Sequence, residues 1–75
     1  MSENNNSFKE ILGEKIQRLR NAKTYSTRQF ALLAEMEHHQ LINIEKGRVD
    51  IRLSTLLKIA KVLEVEPKEL LDFKI

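Results

Sequence analysis

Thr27-Arg28-Gln29-Phe30-Ala31-Leu32-Leu33-Ala34-Glu35-Met36-Glu37-His38-His39-Gln40-Leu41-Ile42-Asn43-Ile44 is the stretch whose reading decides the fold. Just ahead of it, Ser26 stands three residues before Gln29, the spacing of a capping box in which the hydroxyl and the amide each satisfy a free backbone N–H. Tyr25 before that cap and Phe30 after it have the spacing of a hydrophobic staple. A helix over residues 27–34 follows. Glu35-Met36-Glu37 then forms a short gap. Beyond it, Leu41 and Ile44 fall on one face of a second short helix, while His39, Ile42, Asn43 and Lys46 fall on the other. Gly47 ends this helix, because glycine takes the left-handed backbone conformation without steric cost. Small Ala31 sits where the second helix must come close to the first.

Outward from this centre the chain reads as helix throughout. Ser7 and Glu10 have the capping-box spacing, and Phe8, Ile11, Leu12, Ile16 and Leu19 recur at three and four, which predicts a first helix from Ser7 to about Lys23. Thr24-Tyr25 is the break. After a polar loop from Arg48 to Arg52, the apolar residues Leu53, Leu56, Leu57, Ala60 and Leu63 predict another helix ending near Glu64. Pro67 suits the first turn of a last helix over residues 67–72, with Val65 and Leu70 spaced as its staple. No alternating strand pattern or internal repeat is present, and Asn4-Asn5-Asn6 is the one low-complexity tract. The expectation is a single all-α domain over residues 7–75, a compact five-helix bundle, preceded by a loose polar segment, residues 1–6.

At 75 residues the chain is one domain, too small to enclose a long catalytic cleft, so its surface must carry its function. The hydrophobic share of 41% excludes a wholly disordered chain. Cysteine is absent, which removes disulfides and thiolate metal sites and suits a reducing, cytoplasmic compartment. No apolar run approaches the roughly 20 residues that span a bilayer, and Met1 to Asn6 lack the basic start and apolar stretch of a secretion signal. The net charge of +2 is unevenly placed. Residues 7–34 hold six bases (Lys9, Lys15, Arg18, Arg20, Lys23 and Arg28) against two acids, Glu10 and Glu14, whereas residues 64–75 hold two bases against four acids. Such polarity orients a protein towards a polyanion, although solvated helix faces account for it as well.

Two short helices joined by about three residues have the shape of a helix-turn-helix. Here the sequence resembles the Cro and phage-repressor class of helix-turn-helix domains, also called the XRE family, over about residues 9–72. The pieces that carry the resemblance are Leu12-Gly13-Glu14-Lys15-Ile16, Leu19-Arg20, Ser26, Phe30-Ala31, Leu33-Ala34, Leu41, Ile44-Glu45-Lys46-Gly47, Leu53, and the run Thr55 to Leu63. The resemblance implies a lambda-repressor-like five-helix bundle and a sequence-specific transcriptional regulator that binds double-stranded DNA with its third helix in the major groove. It places His38, His39 and Asn43 at base edges, where Asn can pair with adenine and imidazole can donate to guanine, and Ile42 is a further candidate base contact on the same face. Thr27, Arg28, Gln40, Lys46, Arg48 and Arg52 fall where the sugar-phosphate backbone is gripped. Lys46 and Arg48 also suit charge compensation at a helix end, and the two roles coexist. Arg20 and Glu45 match positions that form an ion pair between the first and third helices.

Four positions depart from the family pattern. Glu35 stands where the turn usually has glycine, Glu37 where Ser or Thr caps the third helix, and Thr27 where glutamine commonly opens the second. Ile42 occupies an outward position that is usually polar; it fits a thymine methyl, or else a protein surface. The rival reading is therefore a protein-interaction module, such as an antitoxin-like partner, that kept the bundle and lost DNA binding. Other chemistry is not supported. His38 and His39, as helix neighbours, point about 100° apart and cannot chelate one metal. No nucleophile elbow, phosphate loop or catalytic carboxylate pair can be placed, so neither an enzyme nor a cofactor, metal or small-molecule effector is expected. The short loop from Gly47 to Leu53 and the lack of an appended domain look most similar to stand-alone controller-type proteins. A homodimer is expected, since one recognition helix reads only a few base pairs. Leu71, Phe73 and Ile75 are its candidate interface residues, together with the end of the fourth helix. Phe73 has a second destination, against Phe8 on the first helix.

Overall fold

The structure, a computed structural model, describes residues 3–73, with side chains from Phe8 onward. Its elements are α1 (Glu3–Ala22), α2 (Thr27–Leu33), α3 (His38–Glu45), α4 (Leu53–Leu63) and α5 (Pro67–Leu70). The five helices and their order match the sequence reading. The start of α1 does not: the backbone is already helical at Glu3, so Ser7 lies inside the helix and is no cap. Asparagine and serine are mediocre helix formers but not breakers, and a helix anchored by packing extends at small cost per residue. No helix among the described residues is long and apolar enough to cross a membrane.

Each connection has a local cause. At the start of α2, Ser26 Oγ accepts from the Gln29 N–H (3.1 Å) and Gln29 Oε1 accepts from the Ser26 N–H (2.9 Å), completing the capping box. The Tyr25 and Phe30 rings lie 6.1 Å apart, as the staple requires. The ends of α1 to α4 share one construction. A residue with positive φ turns the chain (Thr24, Glu35, Gly47 and Glu64), and the N–H of the next residue reaches back five positions to a helix carbonyl. These are the bonds from Tyr25 to Arg20, Met36 to Ala31, Arg48 to Asn43 and Val65 to Ala60, which define a Schellman motif. Only one of the four turning residues is glycine.

The core joins α1, α2, α3, α4 and α5 through Leu12, Ile16, Phe30, Leu41, Ile44, Leu56, Ile59, Leu63 and Leu70, with Ala31 and Ala34 at the α2 crossing. The α4 stripe expected from sequence is only partly used. Leu56, Ile59, Ala60 and Leu63 face inward, whereas Leu53 and Leu57 lie on the flank and are 69% and 47% exposed. Exposed apolar surface on α4 is thus at its beginning and middle and not at its end, where Leu63 belongs to the core. α1 and α3 touch backbone to backbone at Gly13. A Cβ there would lie 2.3 Å from the Ile44 carbonyl oxygen, so only glycine allows α3 to come this close.

Candidate nucleic-acid interface

The recognition unit is built from behind. Arg20 projects from α1 to the last residue of α3, where Nε and Nη2 donate to the two carboxylate oxygens of Glu45 at 2.6 and 2.9 Å. Its remaining nitrogen, Nη1, donates to the Tyr25 carbonyl at 2.8 Å. Both side chains are buried, more deeply than a surface pair of the kind sequence alone allows one to assume. A forked, fully hydrogen-bonded pair in such a place fixes direction as well as distance, so the end of α3, the start of α2 and α1 are held in one arrangement.

At the other end of α3 a second tie appears. Thr27 Oγ1 and His38 Nε2, on the first residues of α2 and α3, are hydrogen-bonded at 2.7 Å. His38 is half-buried and turned towards α2, leaving only Nδ1 for another group, whereas His39 is exposed. Sequence reasoning gave Thr27 and His38 separate roles. The available signal was that each opens its helix, but their meeting depends on the crossing of α2 and α3.

The outer face of α3 presents His39, Asn43 and Lys46 at helical spacing, with His39 and Lys46 exposed and Asn43 half-buried. Ile42 is half-buried at the flank, so its side chain does not stand out as a separate apolar knob. Gln40 is exposed. Arg48 folds back along the helix, and its Nη1 donates to Asn43 Oδ1 at 3.3 Å. That contact was also missed, because both residues were read as independent. Arg28 and Arg52 are exposed at the first turn of α2 and the N-cap of α4, where a cation gains nothing from the helix dipole. Glu37 caps α3 without a side-chain hydrogen bond, and Glu35 takes the left-handed conformation (φ 55°) that its place in the turn demands.

The candidate dimer residues follow α5. Phe73 stacks on Phe8 with ring centroids 5.9 Å apart, so in the single chain it is half-buried against α1. Leu71 is 49% exposed, and Ile75 lies outside the described residues. Phe8, Ile44, Val49, Ile51, Leu71 and Phe73, with the ion-paired Lys9 and Asp50, line an open groove of mixed character of about 400 Å³.

Comparison with known proteins agrees with this geometry. Residues 15–74 match the family model of the Cro/C1-type HTH DNA-binding domain. The chain is 32% identical over 69 residues to control protein C.BamHI from Bacillus amyloliquefaciens, covering 91% of this chain and 85% of that protein. Its fold is similar to that of the restriction-modification controller protein C.AhdI from Aeromonas hydrophila, with a TM-score of 0.79 at 31% identity over 81% of this chain and 92% of the other. The clp gene regulator ClgR from Corynebacterium glutamicum has the same fold, with a TM-score of 0.81 at 22% identity over 85% of this chain and 68% of the other. The family is one of DNA-binding transcriptional regulators and not of enzymes. By that match and that identity, the chain belongs to the Cro/C1-type helix-turn-helix DNA-binding family.

Proposed function

We propose that this protein is a homodimeric transcriptional controller that binds a short palindromic operator and regulates restriction-modification genes; the last part rests on its likeness to one protein named a restriction-modification controller and another named a control protein. The observation that carries the DNA-reading part is the outer face of α3, where His39, Asn43 and Lys46 stand together on a helix fixed at both ends by Arg20–Glu45 and Thr27–His38. His39, Asn43 and the accessible part of Ile42 meet base edges. Thr27, oriented by His38, joins Arg28, Gln40, Lys46 and Arg52 along the sugar-phosphate backbone. Arg28 and Arg52 support this assignment because their positions at helix starts offer them no stabilisation of their own.

The dimer reading rests on Leu71, exposed at the groove beside α1 and α5, and on Leu53 and Leu57, exposed on α4. A two-fold axis through this side sets two recognition helices about 34 Å apart, one turn of duplex. Selection of bound duplexes from a random pool tests the operator, and an inverted repeat is the expected product. Sedimentation at micromolar concentration tests the assembly. Leu71→Asp is the informative variant, because Phe73 is part of the fold and its loss would confuse unfolding with dissociation. A dimer that Leu71→Asp converts to a folded monomer supports the model. A monomeric wild type that still binds its operator tightly refutes it.

A further inference from the structure

We propose that Arg48 and Asn43 form one base-reading unit whose combined edge, dominated by donors, selects guanine; this rests on the DNA-binding reading above. The arrangement begins with Gly47. Its φ of 71° turns the chain at the end of α3, so that the Gly47 N–H donates to the Ile44 carbonyl and the Arg48 N–H to the Asn43 carbonyl, each at 3.0 Å. That second bond pins the backbone of Arg48 to Asn43, and the side chain repeats the link through Nη1 and Oδ1. A cation meant for a phosphate on the flank would extend away from the helix. This one lies along the face of α3 that carries His39 and Asn43, and among the described residues Asn43 is its side-chain partner.

The chemistry of the pair follows from its donors. A guanidinium can only donate, so the Asn43 amide must present its oxygen to Arg48 and its NH₂ group elsewhere. With one lone pair of that oxygen directed to a cation, Asn43 is a poorer acceptor for adenine, whose major-groove edge needs an acceptor for its amino group as well as a donor for N7. What remains is the Asn43 NH₂ together with the free N–H groups of Arg48. Guanine, with acceptors at both N7 and O6, is the base whose edge matches. Arg48 thereby changes from a sequence-independent clamp to a specificity-determining residue, and Asn43 from an adenine reader to half of a guanine reader.

The test uses the operator selected from the random pool by the wild-type protein. Arg48 is exposed and Asn43 half-buried, and thermal melts check that Arg48→Ala and Asn43→Ala remain folded. The expected result is a guanine in each half-site whose preference is lost in both single variants, at the same base pair, with the double variant no worse than the weaker single. Replacing that guanine by 7-deazaguanine is expected to weaken wild-type binding by about tenfold and to leave Arg48→Ala nearly unaffected. An adenine at that position, or an Arg48→Ala protein that binds operator and random duplex with equal loss and an unchanged base preference, overturns the proposal while leaving DNA binding intact. Absence of any binding at low salt overturns both.

Discussion

Four helix starts have a defined N-cap, at Ser26, Glu37, Arg52 and Glu66, and only Ser26 uses its side chain to accept a backbone N–H. Glu37 matters most of the other three, since it introduces α3. Its carboxylate is favourable beside the positive end of the helix but repels a phosphate brought to the same end. Glu37→Ser exchanges that charge–dipole attraction for a cap hydrogen bond, so folding stability is expected to change by less than about 1 kcal/mol. Affinity for DNA is expected to rise several-fold at low salt, with a smaller gain at high salt; titrations at two salt concentrations check it. Lys46→Ala is the complementary case. It is expected to weaken operator and random duplex alike and to lower the salt slope by roughly one unit, read from affinities across a salt series.

At the scale of elements, the meeting of α1 and α3 governs how the reading helix is presented. Arg20 and Glu45 are buried there with all three guanidinium nitrogens and both carboxylate oxygens hydrogen-bonded, so removing one partner leaves the other without its counter-charge. Arg20→Ala or Glu45→Ala is expected to cost about 3–5 kcal/mol, close to the whole stability of a small domain. The double variant Arg20→Met with Glu45→Leu is expected to cost less than either single change, because no orphaned charge remains. Urea unfolding of the three proteins measures this. Helices α2 to α5 were legible in the sequence because their signals are local: the cap and staple of α2, the glycine stop of α3, the apolar stripe of α4, and the proline and staple of α5. The start of α1 was not, since Ser7 and Glu10 have the spacing of a capping box in a place where the helix simply continues. The same distinction holds for the site. The outward face of α3 follows from helical periodicity, whereas the Thr27–His38 bond spans two helices and the Arg48–Asn43 bond needs the chain to double back at Gly47. Contacts of that kind depend on crossing geometry, which periodicity does not contain.

Over the whole molecule, three of the four Schellman corners are made by residues with a Cβ: Thr24, Glu35 and Glu64, at φ of 64°, 55° and 61°. An L-residue loses roughly 1–2 kcal/mol in this conformation, part of which glycine recovers after its own entropic cost. Thr24→Gly and Glu35→Gly are each expected to stabilise by about 0.5–1 kcal/mol. Glu64→Gly gains less, because Glu64 also accepts from Lys23 at 3.0 Å across the surface. Combining the first two is expected to raise the melting temperature by about 5–10 °C, measurable by calorimetry. The opposite change at the fourth corner, Gly47→Ala, introduces the same torsional cost and also sets a methyl 2.7 Å from the α1 backbone at Glu10. Proteases act on chains that open, and each 1.4 kcal/mol of missing stability makes the open form about ten times more abundant. Unoptimised corners therefore bear on lifetime: a regulator strained in this way is cleared sooner after its synthesis stops than its glycine-cornered variant would be, and the transcription it regulates responds correspondingly faster.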